Sequence, residues 1–189
     1  MEPVAEQYRR LASTFTDRVA AVPDDAWRNR TPCEDWTARE LVGHVMDVHG
    51  RFEALVGREL AEHPSVEDDP VAAWSAVRDQ MQADLDDPDR AATEYEGRFG
   101  RSTFADSVGG FVCFDLVVHG WDLAHATGLD DTIDPRDVER VQAMVDRMGE
   151  TMLANGVIKP PIEPAPDASA QDRLLCALGR DPRADQPSS

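Results

Sequence analysis

Val4, Tyr8, Leu11, Phe15, Val19 and Val22 follow one another at steps of three and four, so a helix gathers them on one face where a strand would scatter them. The spacing returns in Leu41, Val45, Val48, Phe52 and Leu55, in Val71, Trp74, Val77, Met81 and Leu85, and in Val138, Val141, Val145, Met148 and Met152. A chain that repeats this period segment after segment must bury its apolar stripes helix against helix, which predicts an all-α fold.

Helix signals divide the chain. The first helix runs from about Pro3 to Val22, and Pro23-Asp24-Asp25 and Arg30-Thr31-Pro32 break the pattern after it. Thr37-Ala38-Arg39-Glu40 reads as a capping box that opens a second helix near Ala38. Asp69-Pro70 opens a third, ended by Asp86-Asp87-Pro88, and residues 89–101 read as a loop or a short hairpin near Thr93–Phe99. Ser102-Thr103 caps a fourth helix through about Ala126, and Asp134-Pro135 opens a fifth that closes at Asn155-Gly156. A proline-rich stretch, Lys159–Pro166, leads to a short helix over Asp172–Leu178 that stops at Gly179. The expected organisation is a single domain over 1–179 and a disordered tail over 180–189.

Polar residues interrupt two of the buried stripes. His44 lies about 60° from the direction of Leu41, within the inward arc of the second helix. On the fourth helix Val108, Phe111, Val112, Asp115, Val118, His119 and Asp122 share one arc of about 120°. Asp115 and His119, four residues apart, stack on one side of that helix and can reach one ion. An inward carboxylate without a partner carries a desolvation penalty of roughly several kcal/mol, which coordination removes. Asp122, one turn on, is placed to orient a ligand imidazole, and an N–H contact to a neighbouring helix is the alternative. Trp36 and Trp121 flank the ligand segments as pocket walls or as core packing. His49, His63 and His125 fall off the stripes and read as surface or outer groups. Two imidazoles and one carboxylate form an open set of the kind used by catalytic zinc.

Composition excludes several partners. A formal net charge of -18, from 19 Lys+Arg against 37 Asp+Glu, repels phosphate backbones and anionic bilayers. Met1-Glu2-Pro3 leads straight into charged residues and no apolar run reaches the length of a membrane span, so a cytoplasmic location is expected. Cys33, Cys113 and Cys176 are odd in number and form no Cys-x-x-Cys, which suits reduced thiols. Lysine occurs once, at Lys159, in a chain rich in Ala, Asp, Val and Arg, the bias that high-GC coding produces.

The segments Thr31-Pro32-Cys33-Glu34-Asp35-Trp36-Thr37-Ala38-Arg39-Glu40-Leu41-Val42-Gly43-His44-Val45 and Phe114-Asp115-Leu116-Val117-Val118-His119-Gly120-Trp121-Asp122-Leu123-Ala124 resemble the DinB-like metal-binding superfamily. They are closest to the branch containing mycothiol-dependent maleylpyruvate isomerase. Ala170–Leu175 and Gly179-Arg180-Asp181-Pro182 extend the likeness to the closing segment of uncharacterised single-domain members. The resemblance implies an up-down-down-up four-helix bundle with additional C-terminal helices, binding a divalent metal through His44, His119 and the residue four before His119. Many members carry Glu or His at that last position; here it is Asp115, one methylene shorter than Glu. The isomerase carries a further C-terminal domain, for which 189 residues leave no room.

The expected function is therefore that of a divalent-metal protein, with zinc ahead of nickel, iron or manganese. It acts as a thiol-dependent transferase or isomerase, with mycothiol as the thiol and a small electrophile as substrate. The alternative is a metal-containing small-molecule-binding or stress-response domain without turnover. A non-haem iron oxygenase is compatible with the donor set, whereas di-iron ferritin-like chemistry would need a pair of Glu-x-x-His motifs that the chain lacks. A monomer or homodimer is expected, with neither nucleic acid nor membrane as a partner.

Overall fold

A computed structural model describes residues 2–33, 36–97 and 100–184. The fold is all-α apart from one two-stranded sheet. Helices α1 (Val4–Ala21) and α2 (Ala38–Leu55) each pack against both α3 (Pro70–Asp86) and α6 (Cys113–Thr127), which places α1 and α2 on one diagonal of a four-helix core. Tyr8, Phe15, Leu41, Trp74, Met81 and Leu123 meet at its centre, each fully buried. Side chains of this size contribute about 1.5–3 kcal/mol apiece on burial. Helix α7 (Pro135–Ala154) packs against α8 (Ala170–Ala177) beside the core.

The helix ends follow their local signals. Thr37 and Glu40 form the reciprocal capping box, with the Thr37 amide donating to Glu40 Oε2 at 2.8 Å. Asp69 accepts from the Ala72 amide at 2.9 Å and Pro70 takes the first helical position, where a missing N–H costs nothing. Asp134 and Pro135 repeat the device on α7.

The segment read as loop or hairpin contains both a short helix α4 (Pro88–Ala91), capped by Asp87, and a hairpin of β1 (Glu94–Gly97) and β2 (Gly100–Thr103). Glu94 pairs with Thr103 and Gly97 with Gly100. Phe99, the last residue of the stretch read as a loop or short hairpin, lies outside the described residues.

The largest departure is the fourth helix expected from Ser102-Thr103. Both residues belong to β2, and Thr103 instead caps a single turn, α5 (Phe104–Ser107), through the Asp106 amide at 3.1 Å. A π-helical turn over Val108–Val112 separates it from α6. Gly109 makes the widened turn possible: a Cβ there would stand 2.9 Å from Val4 Cγ2, so α1 needs the bare backbone. A π turn inserts one residue into the helical phase and so rotates the rest of the helix by about 100°.

His49, read as a surface or outer group, is fully buried. Its Nδ1–H donates to the Val45 carbonyl at 2.7 Å, so its Nε2 accepts from the Tyr8 hydroxyl at 3.1 Å. Burial draws its pKa down to about 4, against the Val45 bond, which leaves a neutral core histidine.

Glu53 near the end of α2 is also fully buried, and neither carboxylate oxygen has a hydrogen-bond partner. Arg58 Nη1 stands 3.8 Å away and is closer to Asp84, at 3.1 Å. Burial first, then a hydrogen bond that only protonated Glu53 can donate to Asp84, and after it the charge of Asp84, push Glu53 up to about 7 from 4.5, against the pull of Arg58 and Arg90. The folded state thus holds a proton that the unfolded chain releases earlier. The resulting stability is fully present below pH 4.5 and is lost as pH rises to about 7. Arg58, whose side chain is 15% exposed, admits solvent screening, so the expected contribution is about 1–2 kcal/mol. Glu53→Gln is neutral at every pH, and urea melts should find it the more stable protein at pH 8 but not at pH 4.5. A wild-type-minus-variant difference that does not move with pH would overturn this.

Candidate metal centre

His44 projects from α2 between the buried Leu41 and Val45, and Asp115 and His119 project one turn apart from α6. Their donor atoms come together: one nitrogen each from His44 and His119 and one oxygen of Asp115 lie within 4.8 Å of one another. The His44 and His119 rings meet edge to face with centroids 5.1 Å apart. Trp36 stacks on the other face of His44 at 4.1 Å. The connection carrying Trp36 is pinned at several points. The Thr31 amide donates to the Trp36 carbonyl at 3.0 Å, Arg30 bridges to Thr37, and the Asn29 side chain donates to the Ala126 carbonyl of α6 at 2.9 Å. The motif residues Glu34 and Asp35 lie outside the described residues.

Behind His119 runs a chain of charge-assisted bonds. His119 Nδ1 donates to Asp122 Oδ2 at 2.9 Å, and Asp122 is fully buried. Arg180 grips the same carboxylate with two bonds, Nε to Oδ1 at 2.9 Å and Nη2 to Oδ2 at 2.8 Å, and gives Nη1 to the Leu178 carbonyl. Arg180 is only 6% exposed, which corrects the expectation that the chain frays from residue 180. The Arg180 amide donates to the Leu175 carbonyl at 2.9 Å, and Ala184 offers its carbonyl to His125, so the segment is docked at least to there. Residues 185–189 lie outside the described residues. Gly179 allows the approach: it has φ +78, and a Cβ would stand 2.5 Å from Lys159 Cβ.

The electrostatics match a cation site. Burial opposes the charge on Asp122, but Arg180 and His119 outweigh it and hold the carboxyl down to about 2. Burial likewise opposes a charged His119, but Asp115 and Asp122 outweigh it and push the imidazole up to about 9. Burial would raise Asp115, yet the two histidines hold it below the usual carboxylate range. Burial lowers His44, with Asp115 opposing. Protein alone thus supplies two carboxylates, one guanidinium and a borrowed proton.

Two details fit a metal better than that proton. Asp115 Oδ2 is buried and has no hydrogen-bond partner. His119 Nε2 stands 3.4 Å from Asp115 Oδ1, longer than the 2.9 Å bond on its other nitrogen. Two donors that each lie about 2.0–2.1 Å from one tetrahedral ion stand about 3.4 Å apart. A second grouping, Cys33, His119 and Asp122, also lies within 4.8 Å. It fits less well, because Asp122 is engaged by Arg180 and His119, and burial pushes the Cys33 thiol up to about 11.

The centre opens into a cavity of about 420 Å³ walled by Trp36, Phe52, Phe111, Phe114, Val118 and Ile158, with Arg51, Lys159 and Arg180 also on its lining. The only lysine of the chain stands here. Trp121, expected at this wall, does not line the cavity: it lies about 200° around α6 from His119 and stacks on His125 at 4.6 Å. His125, read as a surface or outer group, is buried and bonded to Asp131, and His63 meets its neighbour's carbonyl. The three cysteines are free thiols.

The model of the mycothiol maleylpyruvate isomerase N-terminal domain matches residues 8–124, more than half of the chain. The chain belongs to this family. Two uncharacterised proteins of Mycobacterium tuberculosis, from strains CDC 1551 / Oshkosh and ATCC 25618 / H37Rv, are each 30% identical over 185 residues, covering 95% of this chain and 98% of their own length. No solved structure matches. The isomerase-domain match takes in His44, Asp115, His119 and Asp122 and stops before Arg180. Sequence reasoning does not find Arg180, although Gly179-Arg180 stands in the closing segment of the resemblance. A single arginine after a helix stop has no spacing that ties it to an aspartate 58 positions earlier.

Proposed function

We propose that this chain binds a divalent metal, zinc foremost, through His44, Asp115 and His119, and works as a thiol-dependent transferase or isomerase on a small electrophile. The observation that carries the reading is the convergence of three donor atoms within 4.8 Å on the floor of an open cavity. Membership of the mycothiol-related family supports a mycothiol-type thiol as cosubstrate. An ion held by two imidazoles and one carboxylate keeps coordination positions free and lowers the pKa of a thiol brought to it.

The residues of the chain do the rest. Arg180 and Asp122 hold His119 through Nδ1, which turns Nε2 toward the cavity. Trp36 fixes the plane of His44 by stacking. Phe114, Val118 and Ile158 reduce water access, which strengthens each electrostatic contact inside. Arg51 and Lys159 raise the local potential in an otherwise acidic chain, favouring a thiolate over a thiol. The same donor set accommodates nickel, iron or manganese, so the native metal is decided by analysis of purified protein.

Calorimetric titration with mycothiol, in parallel on zinc-loaded and metal-free protein, tests the reading. Binding with release of a proton is expected for the loaded protein only. One bound metal with no thiol binding would overturn the thiol-dependent part and leave a metal-containing binding domain.

A further inference from the structure

A second cavity, of about 350 Å³, adjoins the first and shares Phe52, Phe111 and Val157 with it. Phe52 and Phe111 stack with centroids 6.2 Å apart and so form the partition between the two. The chambers differ in chemistry. The metal chamber has Arg51, Lys159 and Arg180 on its walls, whereas the second is lined by Leu55, Met148 and Met152 and, among the described residues, has Arg101 at its exposed edge as its one charged neighbour. Three of the hydroxyls there are paired with one another: Tyr95 bonds Ser107 at 2.6 Å and Ser107 bonds Ser102 at 3.0 Å. With those polar groups engaged, the described lining is mainly apolar.

Leu55 and Val157, at the mouth of this chamber, are 45% and 53% exposed, two of the four large apolar side chains that solvent reaches most among the described residues. Methionines on the opposite wall adapt to varied apolar shapes. A volume of this size falls within the range of small-molecule sites. Because the two chambers share Phe52, Phe111 and the solvent-reached Val157, one elongated molecule that passes beside Val157 can occupy both.

We propose that the second chamber holds the apolar arm of the substrate, an aliphatic or aromatic chain whose anionic, reactive head lies in the metal chamber beside Arg51. The proposal rests on the reading of the metal chamber as the reactive site and adds the substrate class: an amphiphilic acid rather than a small, wholly polar one. Phe52 and Phe111 then act as the gate that sets how far the head stands from His44, Asp115 and His119.

Straight-chain alkanoates from butanoate to decanoate, titrated into the full chain with and without zinc, test it. Each added methylene should tighten binding about fourfold until the chamber is full. Thr151→Trp, at an exposed position on the chamber lining, should flatten that dependence while leaving zinc content and the melting temperature unchanged. Met148→Trp fills the chamber from the same helix and provides a second reading if the first variant folds poorly. Affinity independent of chain length, or an unchanged slope in a folded filled variant, would overturn the proposal. The slope is expected in metal-free protein too, so its presence without any thiol binding would sink the thiol-dependent reading and leave the chamber standing.

Discussion

Replacing His119 by alanine should abolish stoichiometric zinc binding, and His44→Ala should do the same. Each removes one of three donors, a larger loss than the about 10–100-fold that accompanies removal of an outer hydrogen-bond partner. His119→Ala also withdraws the only group that reaches both Asp115 and Asp122 among the described residues. Asp115→Asn should weaken zinc strongly, because it keeps the shape but loses the charge, whereas Asp115→Glu keeps a carboxylate and should retain the ion. Metal content of purified protein by elemental analysis, then competitive titration with a chromophoric chelator, reads all four. Full zinc retention in both histidine variants would overturn the site assignment.

Arg180→Ala should have the second largest effect, on two measurements at once. It strands a fully buried Asp122 whose carboxylate otherwise receives two guanidinium bonds. Breaking one side of a buried ion pair costs about 3–5 kcal/mol, which for a chain of this size lowers the melting temperature by about 10 °C. Because Asp122 holds His119, zinc affinity should fall about 10–100-fold as well. Arg180→Lys keeps the charge without the planar two-pronged fit and should lie between wild type and alanine on both scales. In a double-mutant cycle with Asp122→Asn, the second substitution should cost much less than it does alone. Zinc affinity and melting temperature unchanged in Arg180→Ala would separate the C-terminal segment from the centre.

Much of the helical framework is legible from one dimension. The stripes of α1, α2, α3 and α7 and the caps at Thr37, Asp69 and Asp134 depend on neighbours within about one turn, and such neighbours are adjacent in sequence. The reading fails at residues 102–112, where a helical pattern covers the end of a strand, a single capped turn and a π-helical turn. Gly109 lies against Val4 of α1, a tertiary contact that no helical period announces. The local signal is the pair Gly109-Gly110, two poor helix formers in succession.

The histidines divide in the same way. His44 and His119 are readable because helical phase turns them inward beside apolar neighbours. His49 and His125 escape because each is held from outside its own stripe, by Tyr8 of α1 and by Asp131 and Ala184. Trp121 is misplaced for a related reason: adjacency to a site residue in sequence means about 200° of separation at two positions along a helix.

By itself the sequence determined the helical class, the capped starts of α2, α3 and α7 and the pairing of Asp115 with His119, because a helix translates a spacing of four into contact. Only the tertiary structure decided that His44 reaches that pair, that Arg180 returns to lock Asp122, and that a second apolar chamber opens beside the centre. Those relations join residues 58 or more positions apart, and no local period encodes which distant side chains a packed core brings within a few ångströms.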